Sequence, residues 1–204
     1  MCVSDCANMT LLNIEQRRSI RSFTAEPVSD EHLMTILRAA NQAPSAHNQQ
    51  SWRFVVIRGD HKKELAGLVN ARAGEFPKAV SVLLRLAARS INSAPVLIVV
   101  ANTGELINHG SKLFQLEKEQ TLDFFHTMEI QSSAAAIQNL LVAATSLGLA
   151  TVWLGVLFLI KDAVLRFMGE QEGEFMAVIP VGYPAKLGKA PKKVDFEMMV
   201  KWLD

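Results

Sequence analysis

Residues 132–160 read SSAAAIQNLLVAATSLGLATVWLGVLFLI, a stretch without a single charged side chain. Its length and apolarity make it a candidate membrane span, which requires about 20 predominantly apolar residues. Two features argue otherwise. Gln138, Asn139, Thr145, Ser146 and Gly148 interrupt the run, and its period changes along the way. Ile137, Leu140, Leu141, Ala144 and Leu147 recur at helical spacing until Gly148, a residue suited to ending a helix. Thr151 to Val156 then reads as a β-rich strand. The segment is therefore expected to be a buried helix followed by a strand.

Working outward, the pattern repeats. A helix from about Leu116 leads into the charge-free segment, and a helix around Ile160 to Met168 follows it, with a strand over Phe175 to Val181. Upstream, Pro95 to Ala101 (PVLIVVA) has the pattern of a strand buried on both faces. Trp52 to Ile57 reads as a strand closed by Arg58-Gly59-Asp60, and Asp60 is placed to cap a helix through about Asn70. Ser29 is a good N-cap, with Asp30 and Glu31 favouring the dipole of a helix whose core face is Leu33, Ile36, Leu37 and Ala40. Asn13 to Arg18 reads as a short first helix ending near Arg21. Helices outnumber short strands, which predicts an α+β sandwich with a central sheet under helices.

Composition narrows the function. The 204 residues carry 21 Lys+Arg against 20 Asp+Glu, a formal charge of +1, so no global field recruits nucleic acid or an anionic membrane. Half of the chain is hydrophobic and mean hydropathy is +0.17, ample for a core. Cys2 and Cys6 are the two cysteines, which excludes a disulfide scaffold and suits a reducing cytosol. Neither they nor the scattered His32, His47, His61, His109 and His126 form a second pair at ligand spacing, so no metal site is expected. Met1 to Thr10 lacks the basic start and apolar run of a signal peptide. There is no G-x-G-x-x-G after a strand, no P-loop, no H-E-x-x-H and no G-x-S-x-G.

Four stretches could carry chemistry. In Arg17-Arg18-Ser19-Ile20-Arg21, a helix would put Arg17 and Arg21 on one face, where guanidinium forks suit phosphate; taken alone, the residues favour a solvated basic helix end. Pro44 to Trp52 (PSAHNQQSW) offers hydroxyl, amide and backbone donors to an uncharged polar ligand, or is an ordinary connection. Gly155, at the end of the run from Gly148, permits close approach of backbone to a flat ligand. Gly182-Tyr183-Pro184-Ala185 leads into Lys186, Lys189, Lys192 and Lys193, a lysine-rich loop.

In order and spacing these stretches resemble the nitroreductase family of FMN-dependent oxidoreductases. Arg17-Arg18-Ser19-Ile20-Arg21 is similar to its R-R-S-x-R opening, and Ala43-Pro44-Ser45-Ala46-His47-Asn48-Gln49-Gln50-Ser51-Trp52 to its A-P-S-x-x-N-x-Q-P-W loop. Ala94-Pro95, the Gly148-Leu149 to Leu154-Gly155 unit and Val181-Gly182-Tyr183-Pro184 follow in the family's order, from about Ile14 to Lys193. Ser51 stands where the family has proline, and Lys192 where it commonly has arginine.

The resemblance implies a nitroreductase-like α+β sandwich with a mostly antiparallel central sheet, an intertwined homodimer, and one FMN-binding domain over residues 13–204 after a tail of residues 1–12. It implies phosphate contacts from Arg17, Lys192 and Lys193. Arg18, Ser19 and Arg21 would reach phosphate, ribityl and the pyrimidine edge. Pro44, Ser45, Ala46 and Asn48 would come from the partner subunit. Leu154 and Gly155 would present backbone N–H groups to the reactive ring nitrogen, with Asn70 a further carry-over. NADH or NADPH would reduce the flavin and a nitroaromatic, quinone-like or related acceptor reoxidise it, in a ping-pong, two-electron cycle in the cytoplasm. No side chain is then needed as a committed acid or base. Phe124, Phe125 and Trp153 are candidates for the acceptor pocket. A flavin-binding sensor with little turnover, and a dehalogenating or flavin-processing enzyme, are the alternatives. A large dimer interface would also account for the high hydropathy.

Overall fold

Strand β2 (Val96–Asn102) is buried along its whole length and organises the sheet. The computed structural model describes residues 8–113, 118–188 and 190–203; Cys2, Cys6, Leu116 and Lys189 lie outside them. β2 pairs antiparallel with β1 (Trp52–Ile57) on one side and β4 (Glu174–Gly182) on the other. The short β3 (Ala150–Thr151) runs antiparallel along the outer edge of β4, giving the order β1-β2-β4-β3.

Side chains alternate across a strand, so β2 feeds two cores at once. Val96, Ile98 and Val100 pack with Leu33, Ile36 and Ala40 of α2 (Asp30–Asn41) and Ile137, Leu140 and Ala144 of α6 (Lys118–Ser146). Leu97, Val99 and Ala101 pack on the opposite face. They meet Leu65 and Val69 of α3 (Gly59–Ala73), Leu84 and Ile91 of α4 (Lys78–Ser93), and Val164 of α7 (Lys161–Met168). Helices α1 (Met9–Gln16) and α5 (Glu105–Leu113) both lie against α6. The result is the expected α+β sandwich with an antiparallel sheet between helices.

The helical half of the charge-free segment forms as its pattern predicts. Its helix runs to Ser146, and Gly148 takes φ +72°, the left-handed turn at which glycine carries no Cβ penalty. Among the described residues no helix is long and apolar enough to cross a membrane. Ser29 caps α2 as expected, its hydroxyl accepting from the His32 amide at 3.1 Å.

Several expectations need correction. The first helix stops at Gln16, and residues 17–21 are not helical. Arg17 is extended, Ile20 N–H donates to the Thr151 carbonyl at 2.9 Å, and Ser19 bridges Thr151 in parallel. This non-local pairing beside β3 outcompetes continuation of the helix, so Arg17 and Arg21 do not share a helix face. The strand expected over Thr151 to Val156 pairs only at Ala150–Thr151. Past it the chain bends into a 3-10 turn, Gly155–Ile160. Asp60 lies inside the first turn of α3, and the cap position is Arg58, with no side-chain cap bond. Helices α4 and α5 carry stretches that the sequence reading left without structure.

Candidate functional site

The chain from Arg17 to Arg21 runs as an exposed ribbon along a cavity of about 690 Å³. Arg17, Arg18, Ser19 and Arg21 line one wall, and Gly188 and Lys193 belong to the other. The register is fixed by Ile20, which is buried and bonded to Thr151; alternation then leaves Ser19 and Arg21 on the open side. Among the described residues none of Arg17, Arg18, Arg21 and Lys193 has a carboxylate at ion-pair distance, although Glu15 borders the cavity. Arg18 is turned back on the chain, its Nη1 donating to the Arg17 carbonyl at 2.8 Å and to that of Glu15. Several uncompensated cations around one cavity make it an anion site by charge. Of the two terminal lysines expected here, Lys193 lines the cavity; Lys192 is exposed and does not.

Arg21 also borders a second cavity, of about 200 Å³, floored by Val152 to Val156. Leu154 and Gly155 both line it, as expected, but their amides differ. Leu154 N–H donates to the Val178 carbonyl at 3.0 Å, so it is not available to a ligand. Gly155 and Val156 open the 3-10 turn, where the first amides have no partner inside the turn. Its chain neighbours aside, a Cβ at Gly155 would meet only the Trp153 ring, at 3.8 Å, among the described residues, so none of these crowds the space in front of this glycine. The side wall is α4, with Leu83, Leu86, Ala87 and Ser90. Sequence reasoning singled out no residue of this wall, and Asn70, the further carry-over, lies exposed on α3 and lines neither cavity. The signal was present: Leu84, Ala87, Ala88 and Ile91 follow helical spacing.

The loop of Pro44, Ser45, Ala46 and Asn48 is elsewhere and lines neither cavity. Ala46 N–H donates to Ser132 Oγ of α6 at 3.2 Å, and Gln50 N–H to Ser45 Oγ at 3.1 Å. His47, Asn48 and Gln50 all adopt φ near +50° (52°, 52° and 51°), a region that costs residues other than glycine energy. Backbone of this kind is found in general at binding and switch sites. Trp52 beneath it is core, its indole donating to Asn41 Oδ1 at 3.0 Å. Phe125 is buried and Phe124 half exposed on α6, away from both cavities, whereas Trp153 lines the second.

The chain thus has a layered α+β fold in which Arg21 lines both a cationic cavity and a second cavity at a glycine turn. Residues 14–183 match the model of the nitroreductase family, and the chain belongs to that family. A relative from Archaeoglobus fulgidus, provisionally named NADH dehydrogenase/NAD(P)H nitroreductase, is 30% identical over 185 residues, covering 89% of this chain and 87% of its own. An iodotyrosine deiodinase of Hydra vulgaris is 30% identical over 213 residues, covering 96% and 74%. Among solved structures, an FMN complex from Desulfovibrio desulfuricans carrying a nitroreductase description superposes with a TM-score of 0.73 at 30% identity, covering 98% of this chain and 99% of that one.

Proposed function

We propose that the chain is an FMN-dependent oxidoreductase that takes electrons from NADH or NADPH and reduces nitroaromatic, quinone-like or related small organic acceptors. The reading extends to a homodimer acting in the cytoplasm, with residues 13–204 as one flavin-binding domain. The observation that carries it is the position of Arg21, which lines both the cationic cavity and the cavity at the Gly155 turn. FMN has the same two-part character, a phosphate tail and a flat polar ring. The donor set fits each part: Arg17, Arg18 and Lys193, which have no carboxylate partner among the described residues, for the dianion, and the open space before Gly155 for the ring.

When bound, FMN supplies two-electron transfer between a nicotinamide and an organic acceptor. The protein's part is to bind and orient. Arg17 and Lys193 hold the phosphate, and Arg18, Ser19 and Arg21 follow the tail toward the ring. The Gly155 and Val156 amides donate at the ring edge, where negative charge collects on reduction. Leu83, Leu86 and Trp153 form an apolar margin that favours a flat organic partner and thins the water around it. Pro44, Ser45, Ala46 and Asn48 are assigned to the site of the partner subunit on the family resemblance, with which their lining neither cavity within one chain is compatible.

The test is one preparation. Purified protein is expected to be yellow, and its flavin absorbance to bleach anaerobically with NADH or NADPH and return on adding a nitroaromatic or quinone. A colourless protein that does not take up added FMN sinks the proposal. Bound flavin that neither nucleotide bleaches leaves a binding protein in its place. The resemblance to the Hydra deiodinase supplies a second acceptor to try, a halogenated tyrosine.

A further inference from the structure

A third cavity, of about 280 Å³, opens from the same arginine and is not used by the function above. It is lined by Arg21, Ser22, Leu86, Arg89, Ser90 and Ser93, and it shares Arg21, Leu86 and Ser90 with the cavity at the Gly155 turn. Leu86, Arg89, Ser90 and Ser93 stand at i, i+3, i+4 and i+7 on α4, so one helix face supplies most of the wall. Ser90 Oγ donates to the Leu86 carbonyl at 3.2 Å and Ser93 Oγ to the Ser90 carbonyl at 3.1 Å. Their protons are committed to the backbone. The cavity's donors are then the Ser22 hydroxyl, the Arg89 guanidinium and that of Arg21, whose Nη1 also makes a long bond of 3.4 Å to the Ser19 carbonyl. Among the described residues neither arginine has a carboxylate at ion-pair distance, and no carboxylate lines the cavity.

We propose that Arg89, with Arg21, forms an anion subsite beside the flavin ring, taking a carboxylate or phosphate carried by the molecule that exchanges electrons there. The proposal rests on the FMN reading, because the shared wall places the subsite next to the ring. Two forks from different elements, one on α4 and one on the ribbon after α1, can grip a planar or tetrahedral oxyanion from two sides. Arg89 lines neither cavity assigned to FMN, so its role is separable from cofactor retention. The subsite makes electron acceptors and donors unequal by charge, beyond what the apolar margin alone would select.

The experiment compares Arg89→Gln and Arg89→Lys with wild-type holoenzyme, following flavin absorbance without turnover. Benzoate and benzyl alcohol are titrated as an inert carboxylate and its neutral counterpart, and 5′-AMP and adenosine as a phosphate and its neutral counterpart. For at least one anion, Kd is expected to rise about ten-fold in Arg89→Gln and less in Arg89→Lys, with the neutral partner and flavin content unchanged. A rise for benzoate assigns the subsite to an acceptor carboxylate, and a rise for 5′-AMP to a nucleotide phosphate. A yellow variant that binds both anions as wild type does, or weakens charged and neutral probes alike, overturns the subsite alone. A wild-type chain that takes up no FMN overturns the functional reading and the subsite with it.

Discussion

Glu129 is 1% exposed where α5 meets α6, one carboxylate oxygen accepting from the Leu106 amide at 3.0 Å. Burial pushes its carboxyl above the usual value of 4.5, opposed by that bond, by a bond from Ser51 and by His126, and reinforced by the charge of Glu174. The folded chain therefore holds the proton more tightly than the unfolded chain does. This contribution to stability is greatest below about pH 4.5 and is lost as pH rises through the higher folded value. Glu129→Gln keeps an oxygen for Leu106 and removes the charge. Its Tm is expected to exceed that of wild type at pH 7 to 8, with the gap closing toward pH 4, measured by thermal denaturation across pH. Arg17 is the opposite case, a cation without a carboxylate at ion-pair distance among the described residues. Arg17→Ala is expected to weaken FMN about 10- to 100-fold in a fluorescence titration, the size of a charge-assisted hydrogen bond. Unchanged retention would remove Arg17 from the site. The residue types here were legible in the sequence, but their neighbours were not. Nothing local says that Leu154 spends its amide on Val178 while Gly155 does not.

Elements were legible where local pattern and tertiary packing agree. Ser29 caps α2, β2 is buried throughout, and Gly148 ends α6, each as its residues predict. Elements failed where a distant strand decides. The Arg17–Arg21 ribbon gives up helix for pairing beside Thr151, and after Thr151 the chain leaves the ladder with β4, keeping the Leu154 N–H to Val178 bond before it turns. Two substitutions test the packing. Ile137 on α6 is fully buried against the sheet, and Ile137→Ala is expected to cost about 2 to 5 kcal/mol in denaturant unfolding. Gly148→Ala meets no atom within 4 Å, so its cost is that of a left-handed alanine, about 1 to 2 kcal/mol, with FMN affinity unchanged.

Across the molecule, apolar surface is left uncovered in one place above all. Past Lys193, Phe196, Met198, Met199 and Trp202 are 75%, 80%, 68% and 83% exposed on a segment that makes only a single 3-10 turn. On the dimeric reading this arm is covered by the second subunit. A chain shortened to end at Lys193 is then expected to sediment more slowly than the intact protein. Equal sedimentation as a monomer would show that the arm joins nothing. The sequence registered this surface only as high hydropathy, because composition does not say which apolar residues stay outside. The separation of the strained Pro44–Asn48 loop from the arginine cavities has a further consequence on the same reading. If one flavin needs both, colour becomes a property of pairs. Diluting the yellow protein should release cofactor at a subunit concentration set by mass action, and mixing an Arg17→Ala chain with an Asn48→Ala chain should restore one good site per heterodimer.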